Sequence, residues 1–222
     1  MTAETTALQT ASEAFIRYLR DVRQLSPHTV NNYQRDLASL IAYCDEHSRA
    51  DPAELHEADI RAWVSQLRRQ GLAGSSIQRA LSAVRSFFTY LGREQGHSRN
   101  PAAAVQAPRQ PRRLPRTLDT DQVSRYLQFS DDDLTARRDS AIAELFYSSG
   151  LRLAELAAVN VGDIDRQEQL LTVTGKGRKT RTVPVGAVAL AAVERWLQVR
   201  PESSDPALFL SQRGTRISVR NI

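Results

Sequence analysis

Leu170-Leu171-Thr172-Val173-Thr174-Gly175-Lys176-Gly177-Arg178-Lys179-Thr180-Arg181-Thr182-Val183-Pro184-Val185 is the stretch on which the fold class turns. Upstream of it, apolar residues recur at helical spacing. Here the period drops to two: Leu170, Thr172 and Thr174 alternate with Leu171 and Val173, and Thr180 to Val185 returns as a second strand. A hairpin set in an otherwise helical chain predicts a mainly α, α+β fold with a small antiparallel sheet. At the hairpin tip the glycines let the backbone approach a partner closely, and Lys176 is a mobile donor. Arg178, Lys179 and Arg181 add charge beside it. A solvated turn reads the same way.

The residues around the hairpin are helical. Asp119 and Gln122 read as a capping box for a helix through Leu127. Asp139 to Ser149 reads as a helix with Ile142, Leu145 and Phe146 facing inwards, ended by Gly150. Leu151 to Ala158 is a short helix before the hairpin, and Ala187 to Val199 another after it. Gly150-Leu151-Arg152-Leu153-Ala154-Glu155-Leu156 puts Arg152 in a first helical turn, where backbone N–H groups favour an anion. Its planar fork suits two non-bridging oxygens of one phosphate, and Glu155 can orient it. An arginine simply paired with Glu155 at helical spacing fits the same residues. No closing element is recognisable after Leu208-Phe209-Leu210-Ser211. The face of Ile142, Leu145 and Phe146 is therefore expected to stay partly open.

The first 94 residues read as four helices able to bury one shared core. Thr10 and Glu13 read as a capping box ahead of Phe15, Tyr18, Leu19 and Val22. Ser26 is an N-cap with Pro27 at the first helical position, and Leu25 and Val30 are spaced for a hydrophobic staple. That second helix carries Val30, Tyr33, Leu37, Leu40, Ile41 and Cys44. A third, with Ile60, Trp63, Val64 and Leu67, stops at Gly71. A fourth, with Ile77, Leu81, Val84, Phe87, Phe88 and Leu91, stops at Gly92. Polar faces remain on two of them: Thr29, Asn32, Arg35 and Ser39 on the second, and Ser75, Gln78, Arg79, Ser82, Arg85 and Thr89 on the fourth. Short hydroxyl, amide and guanidinium side chains suit groove docking and phosphate contact. An ordinary wet helix face has the same composition.

Net charge is +5 in 222 residues, and its distribution says more than the total. Residues 95–118 carry five arginines and no acidic residue. Pro101, Pro108, Pro111 and Pro115 interrupt any regular structure there. The stretch 95–117 therefore reads as a basic linker, with Arg112 and Arg113 as phosphate contacts, between a helical domain over 1–94 and a second domain over 118–222. A polyanion is the natural partner. With Cys44 the only cysteine there is no disulfide framework, and the four histidines stand far apart, so no metal site is expected. The N-terminus is polar and acidic, unlike a signal peptide, and the longest apolar run, Ala187 to Val193, is far short of a membrane span. A soluble, cytoplasmic protein is expected.

Three motifs in order carry a family resemblance. Leu25-Ser26-Pro27-His28-Thr29-Val30-x-x-Tyr33-x-x-Asp36-Leu37 resembles the opening of the SAM-like core-binding domain of tyrosine site-specific recombinases, the phage integrase family. Arg138-Asp139, Gly150-Leu151-Arg152-x-x-Glu155-Leu156 and Asp163-Ile164-Asp165 resemble its first catalytic box, and Gly175-Lys176-Gly177-x-Lys179-x-Arg181-x-Val183-Pro184 its catalytic hairpin. Asn100-Pro101-Ala102, Leu114-Pro115, Ala207-Leu208-Phe209-Leu210-Ser211 and Arg216-Ile217-Ser218-x-Arg220-Asn221 are most similar to the members that resolve chromosome dimers at cell division.

The resemblance implies a clamp on double-stranded DNA and a transesterification that needs no metal or cofactor. A tyrosine attacks a phosphodiester to form a 3′-phosphotyrosyl link. Arg152 is then the first catalytic arginine, and Lys176 the general acid for the leaving 5′-oxygen. Thr29, Asn32, Arg35, Arg79, Arg85, Arg112, Arg113, Arg178 and Lys179 are the expected DNA contacts. The implied partners are a recombination site, a second recombinase in a tetrameric synaptic complex, and a septal DNA translocase, with no membrane partner. This sequence departs from the family pattern in three respects. Every histidine precedes Arg152, no His-x-x-Arg box follows Lys176, and Tyr147 is the last tyrosine. The expectation is a C-terminally truncated recombinase, inactive alone. The alternative is a non-catalytic DNA-binding fragment that occupies recombination sites or inhibits the full-length enzyme.

Overall fold

A computed structural model describes residues 5–108, 117–129, 133–175, 177 and 179–222. The chain divides into two compact units, Met1–Leu114 and Pro115–Ile222.

The first unit holds α1 (Ala7–Arg17), a π-helical turn (Tyr18–Val22), α2 (Pro27–Glu46), α3 (Glu57–Arg69) and α4 (Gly74–Glu94). Helix α1 begins before the expected Thr10/Glu13 box. Thr6 is its N-cap: the hydroxyl accepts from the Gln9 amide at 3.2 Å, and the Gln9 side chain accepts from the Thr6 amide at 3.0 Å. A Thr-x-x-Gln box caps as well as Thr-x-x-Glu, and the earlier one also puts Leu8 in the core. Ser26 caps α2 as expected, accepting from the Thr29 amide at 3.3 Å, with Pro27 in the first turn. Ser26→Ala should cost about 1 kcal/mol. The check is a lower urea midpoint at unchanged m-value. Helix α4 runs through Gly92 to Glu94, and Gly96, at φ +70°, follows its end. A glycine weakens a helix interior but does not stop it. A Cβ on Gly92 would sit 3.2 Å from the His97 carbonyl, so the returning chain favours glycine there.

Phe15, Trp63, Phe87 and Phe88 fill the shared core, with the Phe15 and Phe87 rings 5.6 Å apart. Beyond α4 the chain stays on this unit, and Ala102 and Val105 are buried in the same core.

The second unit holds α5 (Thr120–Tyr126), α6 (Leu134–Ser149), α7 (Leu153–Ala158), β1 (Ile164–Asp165), β2 (Leu170–Thr174), β3 (Thr180–Pro184) and α8 (Ala187–Val199). The Asp119/Gln122 box caps α5, and Gly150, left-handed at φ +54°, ends α6. Helix α6 starts a turn earlier than expected because Asp133 caps it, accepting from the Ala136 amide at 2.7 Å. The strands form one antiparallel sheet in the order β1-β2-β3, with Val173 opposite Arg181 and Thr174 opposite Thr180. Leu171 and Val173 are buried, as the alternation requires.

The expected open face is mostly closed: Ile142 and Leu145 are buried, and Phe146 is half-buried against the same core. Trp196 of α8 donates its indole N–H to the Leu208 carbonyl at 2.8 Å and lies beside Phe209, with Leu208, Phe209 and Ile217 in the same core. The segment 207–217 closes this side through two isolated bridges, Asn160 to Ala207 and Leu210 to Arg216, which leave no periodic signal in the sequence. Large apolar side chains that remain exposed in this unit include Tyr126 of α5, Tyr147 at the end of α6 and Val188 of α8.

Candidate functional site

The site in the second unit is organised by one buried carboxylate. Arg152 is the N-cap of α7, with extended backbone (φ −76°, ψ 149°), rather than a first-turn residue. Glu155 causes this. Its Oε2 accepts from the Arg152 amide at 2.8 Å, the reach-back half of a capping box, and so fixes where the helix begins.

The same carboxylate takes the Arg152 guanidinium on Oε1 at 2.8 Å. Arg181 of β3 adds a bidentate fork, 2.5 Å to Oε1 and 2.9 Å to Oε2. The Glu155 side chain is 3% exposed, against 37% for Arg181 and 67% for Arg152. The Arg181 hydrogen bonds hold the Glu155 carboxyl down at about 2, helped by the amide and guanidinium of Arg152 and opposed by burial. Two guanidiniums share one carboxylate, so the cluster keeps one net positive charge. Arg152 turns it to solvent from a backed, preoriented position, which is the requirement for holding a phosphate.

Gly175 ends β2 against this cluster, its amide donating to the Lys179 carbonyl at 2.8 Å. A Cβ on Gly175 would stand 2.8 Å from Glu155 Oε1, 3.5 Å from Arg181 and 3.7 Å from Arg152. Gly175→Ala should therefore push the carboxylate off its arginines and destabilise the unit by about 1–3 kcal/mol. Equilibrium urea unfolding checks it. Lys179 is exposed beside the turn. Lys176, Arg178, Arg112 and Arg113 lie outside the described residues.

In the first unit, Thr29, Asn32 and Arg35 lie on α2. Arg35 is exposed and donates to Asn32 Oδ1 at 2.7 Å, and the Thr29 hydroxyl lies 2.9 Å from that of Ser26. Arg79 of α4 is ion-paired with Asp36 of α2, whose carboxylate is buried. Burial pushes the Asp36 carboxyl up, and Arg79 pulls it back. Arg85 is turned to its own chain: Nε donates to the Ala102 carbonyl at 3.0 Å and a terminal nitrogen to that of Val105.

The sequence shows Arg181 only as one more charge beside the hairpin tip. Its signal is the register, opposite Val173, which strand counting from the turn supplies. Arg138 and Arg216 are also structural anchors. Arg138 is buried and donates to Asp139 at 2.9 Å, while Arg216 donates to Asn160 Oδ1 at 2.6 Å and to the Ala157 and Val159 carbonyls, bracing the end of α7. Among the described residues no group of three or more His, Cys, Asp or Glu could hold a metal ion, and no helix is long and apolar enough to cross a membrane.

This arrangement has relatives. Residues 13–95 match the phage integrase N-terminal SAM-like domain, and residues 116–222 match the phage integrase family. Tyrosine recombinase XerC of Alcanivorax borkumensis is 48% identical over 221 residues, covering 97% of this chain and 71% of that protein. Tyrosine recombinase XerC of Pseudomonas savastanoi pv. phaseolicola is 43% identical over 213 residues, covering 95% and 71%. The chain therefore belongs to the phage integrase family of tyrosine recombinases. Its fold is similar to that of the Tn1549 transposon integrase in complex with circular intermediate DNA (TM-score 0.76, 18% identity, 98% of this chain and 75% of that one). It is equally similar to that of a lambda integrase dimer bound to a COC' core site (TM-score 0.76, 17% identity, 96% and 76%).

Proposed function

We propose that the chain grips duplex DNA and binds the scissile phosphate as part of a site-specific recombinase of the XerC type. Residues 1–94 are the core-binding part, 95–117 a basic strap and 118–222 part of the catalytic domain. The setting is the cytoplasm, at a recombination site, with an XerD-like partner recombinase in a tetrameric synapse and a septal DNA translocase, in the resolution of chromosome dimers at cell division. The observation that carries this is the Glu155-backed Arg152, held outward with one net positive charge on the cluster.

In the reaction, a tyrosine oxygen forms a bond to phosphorus while the bond to the 5′-oxygen breaks. Arg152 stabilises the charge growing on the non-bridging oxygens. Lys176, by its place in the hairpin motif, donates a proton to the leaving 5′-oxygen as general acid, and the attacking tyrosine gives up its own proton to water. Thr29, Asn32, Arg35 and Arg79 of the helical part, with Arg112 and Arg113 of the strap and Arg178 and Lys179 of the hairpin, contribute contacts to DNA. Arg85 contributes by anchoring the start of the strap.

The alternative is a non-catalytic DNA-binding role. In it, the polypeptide occupies a recombination site without cutting it, or competes with an intact recombinase. Both readings require binding to duplex DNA. If five or six phosphates are neutralised, log affinity should fall against log salt with a slope of about −5. Fluorescence anisotropy of a labelled duplex at several salt concentrations measures it. A flat response, or no binding at low salt, overturns both.

A further inference from the structure

We infer that the cavity between the end of α1, α2 and α4 in the helical unit docks one backbone phosphodiester of duplex DNA, with Arg23 and Arg93 as its anion ligands. This rests on the DNA-binding reading above and extends it to residues outside those already assigned.

The cavity measures about 310 Å³, and among the described residues it is lined by three arginines, Arg23, Arg85 and Arg93, and by no carboxylate. Phe15, Tyr18, Tyr33 and Tyr90 also line it, with the Tyr18 and Tyr90 rings 4.9 Å apart. Cations in a cleft with low-dielectric walls focus a positive field, and an anion is what such a concavity concentrates. Arg85 supplies field but not its fork, because its N–H groups go to the Ala102 and Val105 carbonyls. Arg23 and Arg93 are exposed, with no carboxylate partner among the described residues.

Hydroxyls complete the donor set. Among the described residues the Tyr33 hydroxyl finds only Ser86 Oγ, at 3.5 Å, the limit of a hydrogen bond, so its proton is available to an entering oxygen. Tyr33 stands one turn beyond Thr29 on α2, and Ser86 and Arg93 continue the line of Ser82 on α4. The cavity thus prolongs the two polar helix faces rather than opening on an unrelated side. Arg23 itself is carried between the π-helical turn and Gln24, which holds φ +47° without being glycine. Such local irregularity gathers where a side chain must be aimed.

The test is salt-dependent anisotropy on the full chain with a fluorescent duplex. Arg23→Gln with Arg93→Gln should weaken binding about tenfold and make the salt slope shallower by about 1, the loss of one phosphate. Arg61→Gln with Arg69→Gln removes the same charge from exposed positions on α3 and should leave the slope unchanged. Equal losses in both double variants would mean a diffuse charge effect and overturn the site. So would an unchanged slope in the first pair while the wild type remains steeply salt-dependent. If the first pair fails to fold, Tyr33→Phe, which keeps the ring, should still weaken binding several-fold, and unchanged binding there overturns the site. Failure of the wild type to bind is a different result and removes the DNA reading itself, with this site along with it.

Discussion

Glu155→Ala is expected to destabilise the second unit by about 3 kcal/mol. The carboxylate accepts the Arg152 amide, the Arg152 guanidinium and both arms of Arg181, and alanine removes all of these at once. Exposure of Arg152 and Arg181 lets both turn to water, which keeps the loss at the lower end of the range for a broken buried pair. The same contacts set a pH dependence. The Glu155 carboxyl sits at about 2 rather than 4.5, so its contribution is complete above about 4.5 and is lost as pH falls towards 2. Glu155→Gln should flatten stability across that window. The chain has two tryptophans, Trp63 in the first unit and Trp196 in the second, so urea unfolding followed by fluorescence in a Trp63→Phe background reads the second unit alone. An unchanged midpoint, or an unchanged pH profile in the glutamine variant, would mean that Glu155 does not organise the site.

Trp196→Ala should cost about 3–5 kcal/mol, in the range of large aromatic deletions from a core. Trp196 is fully buried, and its indole N–H holds the Leu208 carbonyl. Leu208 in turn donates its amide to the Val159 carbonyl at 2.8 Å, at the end of α7, whose N-cap is Arg152. Loss of Trp196 therefore removes packing and loosens the brace behind the site. Hydrogen exchange should show the amides of Leu208 and of α7 losing protection together. Loss at Leu208 with α7 untouched would mean that the brace does not reach the site.

Much of this was legible in the sequence. Ser26-Pro27, Asp119-x-x-Gln122 and Gly150 announce helix ends because capping is local chemistry, and the alternation over Leu170 to Thr174 announces the sheet because burial on a pleated strand has period two. What was not legible depends on distant partners. Gly92 reads as a stop, yet the helix passes through it because the chain turns back only at Gly96. Ile164–Asp165 is too short a strand to show a period. The closure by Leu208 and Phe209 is made through isolated bridges. Arg85 reads as one more groove contact, but its fork is taken by carbonyls 17 and 20 residues away. Arg181 reads as one charge among several in a basic turn, and only the strand register places it on Glu155.

The most direct measurement is covalent trapping on a duplex nicked beside the scissile bond, resolved on a denaturing gel. The 222-residue polypeptide should give no protease-sensitive shifted band. The same chain extended with the C-terminal segment of the Alcanivorax borkumensis relative should give one. Arg152→Ala should abolish it, by about 100-fold or more for a donor on the developing charge. Lys176→Ala should slow trapping, and a better 5′ leaving group should restore it. A covalent band from the unextended polypeptide would mean that it carries its own nucleophile, and a band in the extended chain that survives Arg152→Ala undiminished would contradict the role given to the Glu155-backed arginine.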